Sequence, residues 1–473
     1  MNHATKGKLQ SLFSDTAIFA VGNILSKLVV FVLLPLYTST MTAQEYGTAE
    51  LINNASELIY PVFCLCIYEA AFRFALDATS NKKSVFTSAF LLTLCMVPVA
   101  CLMTAAINAF SRYEYAWYLS VLVCVMSVRI LCAQFAKGLG MIKPFALSGV
   151  ITSLVLFGLN IILLMTLKMG IKGYLSSMIA ANVITTAYLF FRCGLWKYLG
   201  TGFDGELFRQ MLLYSLPMVP NIMAWWFNNI SGRYVVLYFY GAGVAGLFTA
   251  ASKLPSVINM FSSVFQQAWQ ISTAREIETR EGAAFFSKVY QIYSGLILIG
   301  SASLIAIMPW LSKLMLKNEF YEARLFVPFL VLGAVLNCYN VFFGTFYTAI
   351  KKNRMIMVST MIGTGVNLVV TVVLTPLIGV WGAIAGNAVG FLIIVAMRVV
   401  DTRRFIRVEM DWRINVPAMF IVLAQAIVST IDFRGGEAVT FGLLAILIAS
   451  EMWYYRDALK NLLRMASARL CRS

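Results

Sequence analysis

Four polar residues, Glu50, Asn53, Asn54 and Glu57, fall at i, i+3, i+4 and i+7 in the stretch EYGTAELINNASELIYPVF, residues 45–63. That spacing puts all four on one face of a helix. The chain is apolar on both sides of the stretch, and a face with two carboxylates cannot be turned toward hydrocarbon. Glu50 and Glu57 are therefore candidates to bind and release H+ or Na+, or to pair with cations on neighbouring helices. Four such cations, Lys27, Arg129, Arg233 and Lys253, lie inside apolar stretches of their own. Lys27 and Glu57 sit equally far from the outer ends of their helices, so they could meet at one depth. Arg73 follows Glu69 by four residues and reads as a local pair.

These residues need a scaffold, and composition says which kind. Of 473 residues, 60% are hydrophobic and 12% charged, with a mean hydropathy of +0.80; soluble domains carry roughly 25% charged residues. The chain is expected to be an all-α integral membrane protein. A bilayer crossing takes about 20 apolar residues, which yields fourteen spans: 14–37, 47–72, 85–110, 115–136, 146–167, 174–191, 211–239, 246–270, 289–312, 325–350, 355–377, 381–399, 414–431 and 438–455. Two of them, 174–191 and 414–431, are short, and twelve spans is the alternative.

Loop charges orient the chain, since Lys and Arg collect on the cytoplasmic side. With the N-terminus inside, 25 of the 37 cations fall in cytoplasmic segments, among them Lys82, Lys83, Lys351, Lys352, Arg398 and Arg403. Seven fall outside: Arg112, Lys168, Lys172, Lys313, Lys317, Arg324 and Arg434. Both termini are expected in the cytoplasm, and the basic segment 456–473 on the anionic inner leaflet. The net charge of +16 follows from this topology and calls for no nucleic acid. The first apolar stretch contains Lys27 and lacks a small-residue cleavage site, so a retained helix is expected there.

Absences narrow the chemistry. His3 is the one histidine, which leaves no imidazole base or histidine metal ligand for the membrane. Cysteines at 64, 66, 95, 101, 124, 132, 193 and 338 fall in or beside spans and read as small apolar residues. No GxxxxGK[ST] loop occurs, so no nucleotide motor is expected. Neither a catalytic residue nor a cofactor or metal is assigned.

The chain also repeats itself. GIKGYLSSMIAANV from Gly170 matches GVWGAIAGNAVGFL from Gly379, and VAGLFTAASKLPSV lies on EYGTAELINNASEL with Gly246 on Gly47 and Lys253 on Asn54. Two six-span units follow, 1–200 and 201–405, with two further spans in 406–455. Such a parallel repeat with a polar seam suits alternating access.

The stretch AVGNILSKLVVFVLLPLYTSTMTAQEYGTAELI, with its PLYT and EYG elements, and GRYVVLYFYGAGVAGLFTAASKL resemble the bacterial polysaccharide flippases of the Wzx type. These belong to the multidrug/oligosaccharidyl-lipid/polysaccharide exporter superfamily. The resemblance implies a V-shaped two-lobe transporter in the bacterial inner membrane. It would move an undecaprenyl-diphosphate-linked oligosaccharide across that membrane, driven by H+ or Na+, with the polymerase and other assembly proteins as candidate partners. Lys27, Arg129, Arg233 and Lys253 would then offset the diphosphate charge. Trp225, Trp226, Asn228 and Asn229, with Gln266, Gln267 and Gln270, could stack on and hydrogen-bond a glycan, or pack helices and anchor them at the interface. A drug antiporter of the same superfamily would favour anionic groups in its cavity. A membrane-embedded polymerase or ligase would carry a sizeable outside loop, and every outside loop here is short.

Overall fold

In hydrocarbon every backbone N–H and C=O must find its partner within the chain, so an apolar chain of this kind forms helices. The computed structural model describes residues 28–29, 31–77, 80–111, 114–200, 203–277, 282–350, 354–431 and 435–454. Lys27 and the segment 456–473 lie outside them. Every regular element among the described residues is helical. In chain order these are α1 (Leu34–Thr40), α2 (Ala43–Phe63), α3 (Ile67–Leu76), α4 (Lys82–Ser111), α5 (Ala116–Gly138), α6 (Ile142–Asn160), α7 (Gly170–Arg192), α8 (Gly205–Ser215) and α9 (Met218–Lys253). They continue with α10 (Ser256–Glu276), α11 (Gly282–Ala306), α12 (Met308–Met315), α13 (Val327–Ala349), α14 (Arg354–Ile378), α15 (Val380–Thr402), α16 (Trp412–Thr430) and α17 (Gly436–Tyr454).

Eleven helical stretches among the described residues can cross a bilayer, and a twelfth crossing forms if α2 and α3 make one bent span. The count of fourteen is not reached, for two identifiable reasons. Most of the expected span 14–37 lies outside the described residues. The expected span 246–270 is divided: its first half continues α9, and its second half is α10, whose serines and glutamines lower its hydropathy. Gly241, with φ +81° and ψ 176°, kinks α9 where the sequence predicted a loop between two spans.

Local chemistry accounts for the element that carries the polar face. Thr42 and Glu45 form a capping box at the start of α2: the Thr42 Oγ1 accepts from the Glu45 N–H at 3.2 Å, and Glu45 Oε2 accepts from the Thr42 N–H at 2.9 Å. Pro61, within α2, has no N–H to give to the carbonyl of Glu57. Just beyond, Leu65 and Cys66 take left-handed φ values of 50° and 53°, and the chain bends by 59° into α3. Left-handed non-glycine residues cost on the order of 1 kcal/mol each, so the surrounding packing must hold this bend.

The chain divides into two compact units, Met1–Thr249 and Ala250–Ser473. In unit 1 the bend sits over a core of Cys64, Cys66, Ile67, Phe86, Cys132, Phe135 and Cys193, with Phe86 and Phe135 ring centroids 4.6 Å apart. The cysteines serve there as buried free thiols. Gly47 on α2 and Gly246 on α9 meet face to face: a Cβ on Gly47 would strike Ala242 O, and one on Gly246 would strike Ala43 O. Residues that the sequence repeat made equivalent thus form one close helix crossing.

In unit 2 the aromatic core is built on Trp269, stacked on Phe342 at 4.7 Å, and Phe265, stacked on Tyr293 at 4.4 Å. Its α14 and α15 form a tight hairpin whose contact stripe is Gly382, Gly386 and Gly390. Those three residues are four apart, so they share a face and let the backbones approach. The counterpart in unit 1, α7, has buried Gly173, Ser177 and Ala181 at the same spacing. Beyond the hairpin, α16 is tied to α17 by Gln425 Nε2, which donates to Thr440 O at 2.8 Å.

Candidate functional site

The polar face of α2 is divided into three environments along its length. At its start Glu50 is 2% exposed. The Tyr174 hydroxyl donates to its Oε1 at 2.8 Å and the Tyr46 hydroxyl at 3.4 Å. The Tyr37 ring packs against both, 5.0 Å from Tyr174 and 5.7 Å from Tyr46. This buried carboxylate is held by two phenolic hydroxyls.

One turn on, α9 is stitched to α2. Arg233 Nη1 donates to Asn54 Oδ1 at 3.1 Å, Trp226 Nε1 to Asn54 O at 2.8 Å, and the Tyr234 hydroxyl to Leu51 O at 2.7 Å. Asn53 is half-buried, and its Oδ1 meets no donor. Arg233 thus binds the amide of the polar face by hydrogen bond.

Beyond Asn54 the face opens. Glu57, Tyr60 and Pro61 of α2 line a cavity of about 230 Å³ with Met126 and Arg129 of α5 and Ile222, Trp225 and Trp226 of α9. The α2 residues of this lining lie on its last two turns, just before the 59° bend. Arg129 is positioned from behind: its Nε donates to Asn182 Oδ1 at 2.6 Å, while Asn182 Nδ2 donates to Met178 O at 2.7 Å and so fixes the amide. Among the described residues that is the one hydrogen bond of Arg129, which leaves both Nη groups without a protein acceptor. A guanidinium with an unused fork, beside indoles and a phenol in a low-dielectric setting, can take two oxygens of a phosphate group. Glu57 on the same wall adds a site for a proton or a cation.

Not every residue read from the sequence joins this cavity. Glu57, Arg129 and Trp225 line it; Asn54 and Arg233 form the adjoining stitch. Asn228 is buried on α9, and Asn229 Nδ2 donates to Trp225 O at 2.7 Å, which spends its amide on the helix. Lys253, the last residue of α9, and the half-buried Gln266 and exposed Gln270 on α10 belong to unit 2. Lys27 and the Gln267 side chain are outside what is described. Among the described residues, Arg129 and Glu57 are the charged side chains that line this cavity.

Other residues were missed. Asn182 lies in the GIKGYLSSMIAANV unit, which the sequence marked as a repeat and not as chemistry. Tyr174 is in the same unit, and nothing in the spacing of tyrosines signals that their hydroxyls converge. Arg398, counted with the cytoplasmic cations at the end of the expected span 381–399, is 4% exposed within α15.

Comparison with known proteins follows this geometry. Solved structures share the fold at low sequence identity. The lipid II flippase MurJ in an inward closed conformation superposes with a TM-score of 0.71 at 12% identity, covering 94% of this chain and 100% of that one. A multidrug resistance MATE family transporter of the MOP superfamily, inward-facing, gives 0.59 at 14% identity, over 81% of this chain and 98% of that one. A MOP superfamily transporter from Pyrococcus furiosus, described as having a binding pocket of reverse polarity, gives 0.57 at 14%, over 83% and 96%. No curated protein matches the chain in sequence. The family model for polysaccharide biosynthesis proteins matches residues 12–270. That is more than half of the 473 residues, and the chain belongs to the polysaccharide biosynthesis protein family, as a multi-pass membrane protein with the fold of MOP superfamily transporters.

Proposed function

We propose that the protein is a flippase that carries a diphosphate-linked polyprenyl oligosaccharide across the bacterial inner membrane by alternating access, with both termini in the cytoplasm. The observation that supports this most directly is Arg129: among the described residues neither of its Nη groups has a protein acceptor, and it lines a cavity with Trp225 and Trp226. A diphosphate supplies the missing oxygens, and indoles stack on sugar faces. Family membership supplies the pathway, polysaccharide biosynthesis. An H+ or Na+ gradient would drive transport, with Glu57 as the carboxylate on the cavity wall and Glu50 held in its tyrosine cage as the second candidate. Polymerase and other assembly proteins would receive the product.

A cation antiporter is the second reading. Glu57 with Tyr60, Trp225 and Trp226 on one wall suits an organic cation as well. Deletion of the gene in its own bacterium separates the two. The flippase reading expects loss of surface polysaccharide and stranding of lipid-linked repeat units on the cytoplasmic face, both restored by the wild-type gene. Normal surface polysaccharide with raised sensitivity to cationic drugs overturns it in favour of the antiporter.

A further inference from the structure

Helices α15 and α16 both pack on α13, and between them lies a cavity of about 300 Å³ that the transport reading does not use. All the residues that line it are among those described and belong to unit 2. Its floor is Tyr290 of α11 with Tyr339 and Phe343 of α13, all buried. On its sides Leu392 of α15 and Phe420 of α16 are 52% and 64% exposed, and exposed apolar side chains on a membrane-crossing helix face hydrocarbon. The polar atoms of the lining are spent on one another. Ser294 gives its one hydroxyl proton to Asn415 Oδ1 at 2.5 Å and accepts from the Tyr339 hydroxyl at 2.7 Å; the Tyr290 hydroxyl also bonds Ser294. Asn415 Nδ2 donates to Asp411 O at 2.9 Å. An occupant therefore meets apolar surface. Along α16 the lining runs from Trp412 to Leu423, and 423 − 412 = 11 residues span about 16 Å of helix. Loop charges, Arg403, Arg404 and Arg407 among them, assign the Trp412 end to the cytoplasmic face. Half of a hydrocarbon core is about 15 Å, so the cavity runs from the inner interface to the middle of the bilayer.

We propose that this cavity holds one acyl chain of an inner-leaflet phospholipid, with the lipid head at the cytoplasmic end beside Trp412. Length and width select that occupant. The cavity is one leaflet deep, which is the reach of an acyl chain anchored at the interface. A volume of 300 Å³ over that length leaves a cross-section of about 19 Å², the width of a single hydrocarbon chain. A helix of a partner or of a second copy, about 10 Å across with its side chains, is too wide. A polyprenyl chain is branched at every fourth carbon and several times longer than one leaflet, so it would overrun the inner end at Leu423. Trp412, 54% exposed at the first turn of α16, sits where indoles mark the membrane interface. Recognition is of the chain and not of the head, and it does not depend on which substrate the Arg129 cavity takes.

Photolabelling of the full chain in proteoliposomes tests the assignment, with phosphatidylcholine that carries a diazirine midway along one acyl chain and peptide mapping of the adducts. Residues 416–423 of α16 should be labelled at least about fivefold more than residues 369–377 of α14, where Val369 and Leu377 are as exposed but no cavity holds a chain in place. Ala396, a small residue of the lining, offers a way to fill the space: in Ala396→Trp the α16 label should fall to the α14 level. Added polyprenyl phosphate should leave the wild-type ratio unchanged. Equal labelling of the two stretches in wild type overturns the proposal in favour of bulk lipid, and loss of the α16 label to polyprenyl phosphate overturns it in favour of that chain. An α16 label that appears only after truncation following Tyr454 overturns it in favour of the segment 455–473 as the occupant. If Ala396→Trp fails to fold by size exclusion, the wild-type ratio and the competition decide.

Discussion

Arg129 in unit 1 and Arg398 in unit 2 both lie within membrane-crossing helices and both bridge the same pair of structural positions, from opposite sides. Arg129 sits on α5 and reaches Asn182 on α7. Arg398 sits on α15, the repeat counterpart of α7, and reaches back to α13 and α14. Its Nε donates to Ser359 Oγ at 3.1 Å, Nη1 to Asn340 O at 2.9 Å, and Nη2 to Thr360 Oγ1 at 3.1 Å and Ile356 O at 3.4 Å. Every acceptor is neutral, and all three guanidinium nitrogens are used. Both arginines are removed from bulk water, yet among the described residues Arg398 gives four of its five N–H donors to the protein and Arg129 gives one. An intramembrane charge is therefore informative only after its hydrogen bonds are assigned: a saturated arginine clamps helices, and an unsaturated one on a cavity wall is available to a ligand.

The largest effect should come from breaking the saturated site. Arg398→Ala removes the donor for four acceptors at once and opens a void, which costs on the order of 3 kcal/mol. Arg398→Lys should recover little of this, because one ammonium cannot reach acceptors on α13 and α14 in the geometry of a planar fork. Thermal unfolding of the purified variants measures both. An apparent Tm within about 2 °C of wild type would show that Arg398 is no clamp and would remove the contrast with Arg129.

A smaller pair of effects sharpens the comparison between the two hairpins. Gly386→Ala places a methyl group against Thr371 Oγ1 and the backbone of Asn367, and overpacking of this kind costs roughly 2 kcal/mol. Its counterpart Ser177→Ala gives up one bond, from Ser177 Oγ to Tyr174 O at 2.7 Å, for about 1 kcal/mol. Ranking the two by the same thermal assay should give Gly386→Ala the lower Tm. The reverse order would mean that the unit 1 hairpin is as closely packed as the unit 2 hairpin, and that the glycine stripe has no special role.

Much of this was legible in the residues and some was not, for physical reasons. Membrane insertion and helical class follow from composition, since a chain this apolar has no other way to satisfy its backbone. The i, i+3, i+4, i+7 face of α2 was legible because helical periodicity is local. Its division into a tyrosine-caged Glu50, an arginine-bound Asn54 and a cavity-lining Glu57 was not, because each environment is supplied by helices distant in sequence. The repeat glycines Gly47 and Gly246 could be paired by alignment, but pairing alone did not say that they would touch. The division of 246–270 between α9 and α10 was hidden because a hydropathy window averages over Pro255. Arg398 was counted with the cytoplasmic cations for a related reason: it lies at the end of the expected span 381–399, where local sequence does not tell a buried arginine from an interfacial one.

Arg129→Ala is expected to have a small effect on stability, comparable to that of Ser177→Ala, and a large one on transport. Its one protein hydrogen bond, to Asn182, is worth about 1 kcal/mol, and the cavity it lines already exists, so removing the side chain enlarges a space instead of creating one in a packed core. Removing a charge-assisted contact to a bound phosphate should lower transport by at least about tenfold. Asn182→Ala provides the control for position: it keeps the charge but frees the Nε tether, so transport should fall less than in Arg129→Ala. Arg129→Lys keeps a point charge and loses the fork, and should fall between the two. Measured as movement of a fluorescent diphosphate-linked lipid in proteoliposomes, that ranking at near-constant Tm is what a ligand-facing arginine gives. A fall in Tm as large as that of Arg398→Ala, with transport per folded molecule unchanged, would mean that both units use their arginine as a clamp and that the contrast between them is only one of geometry.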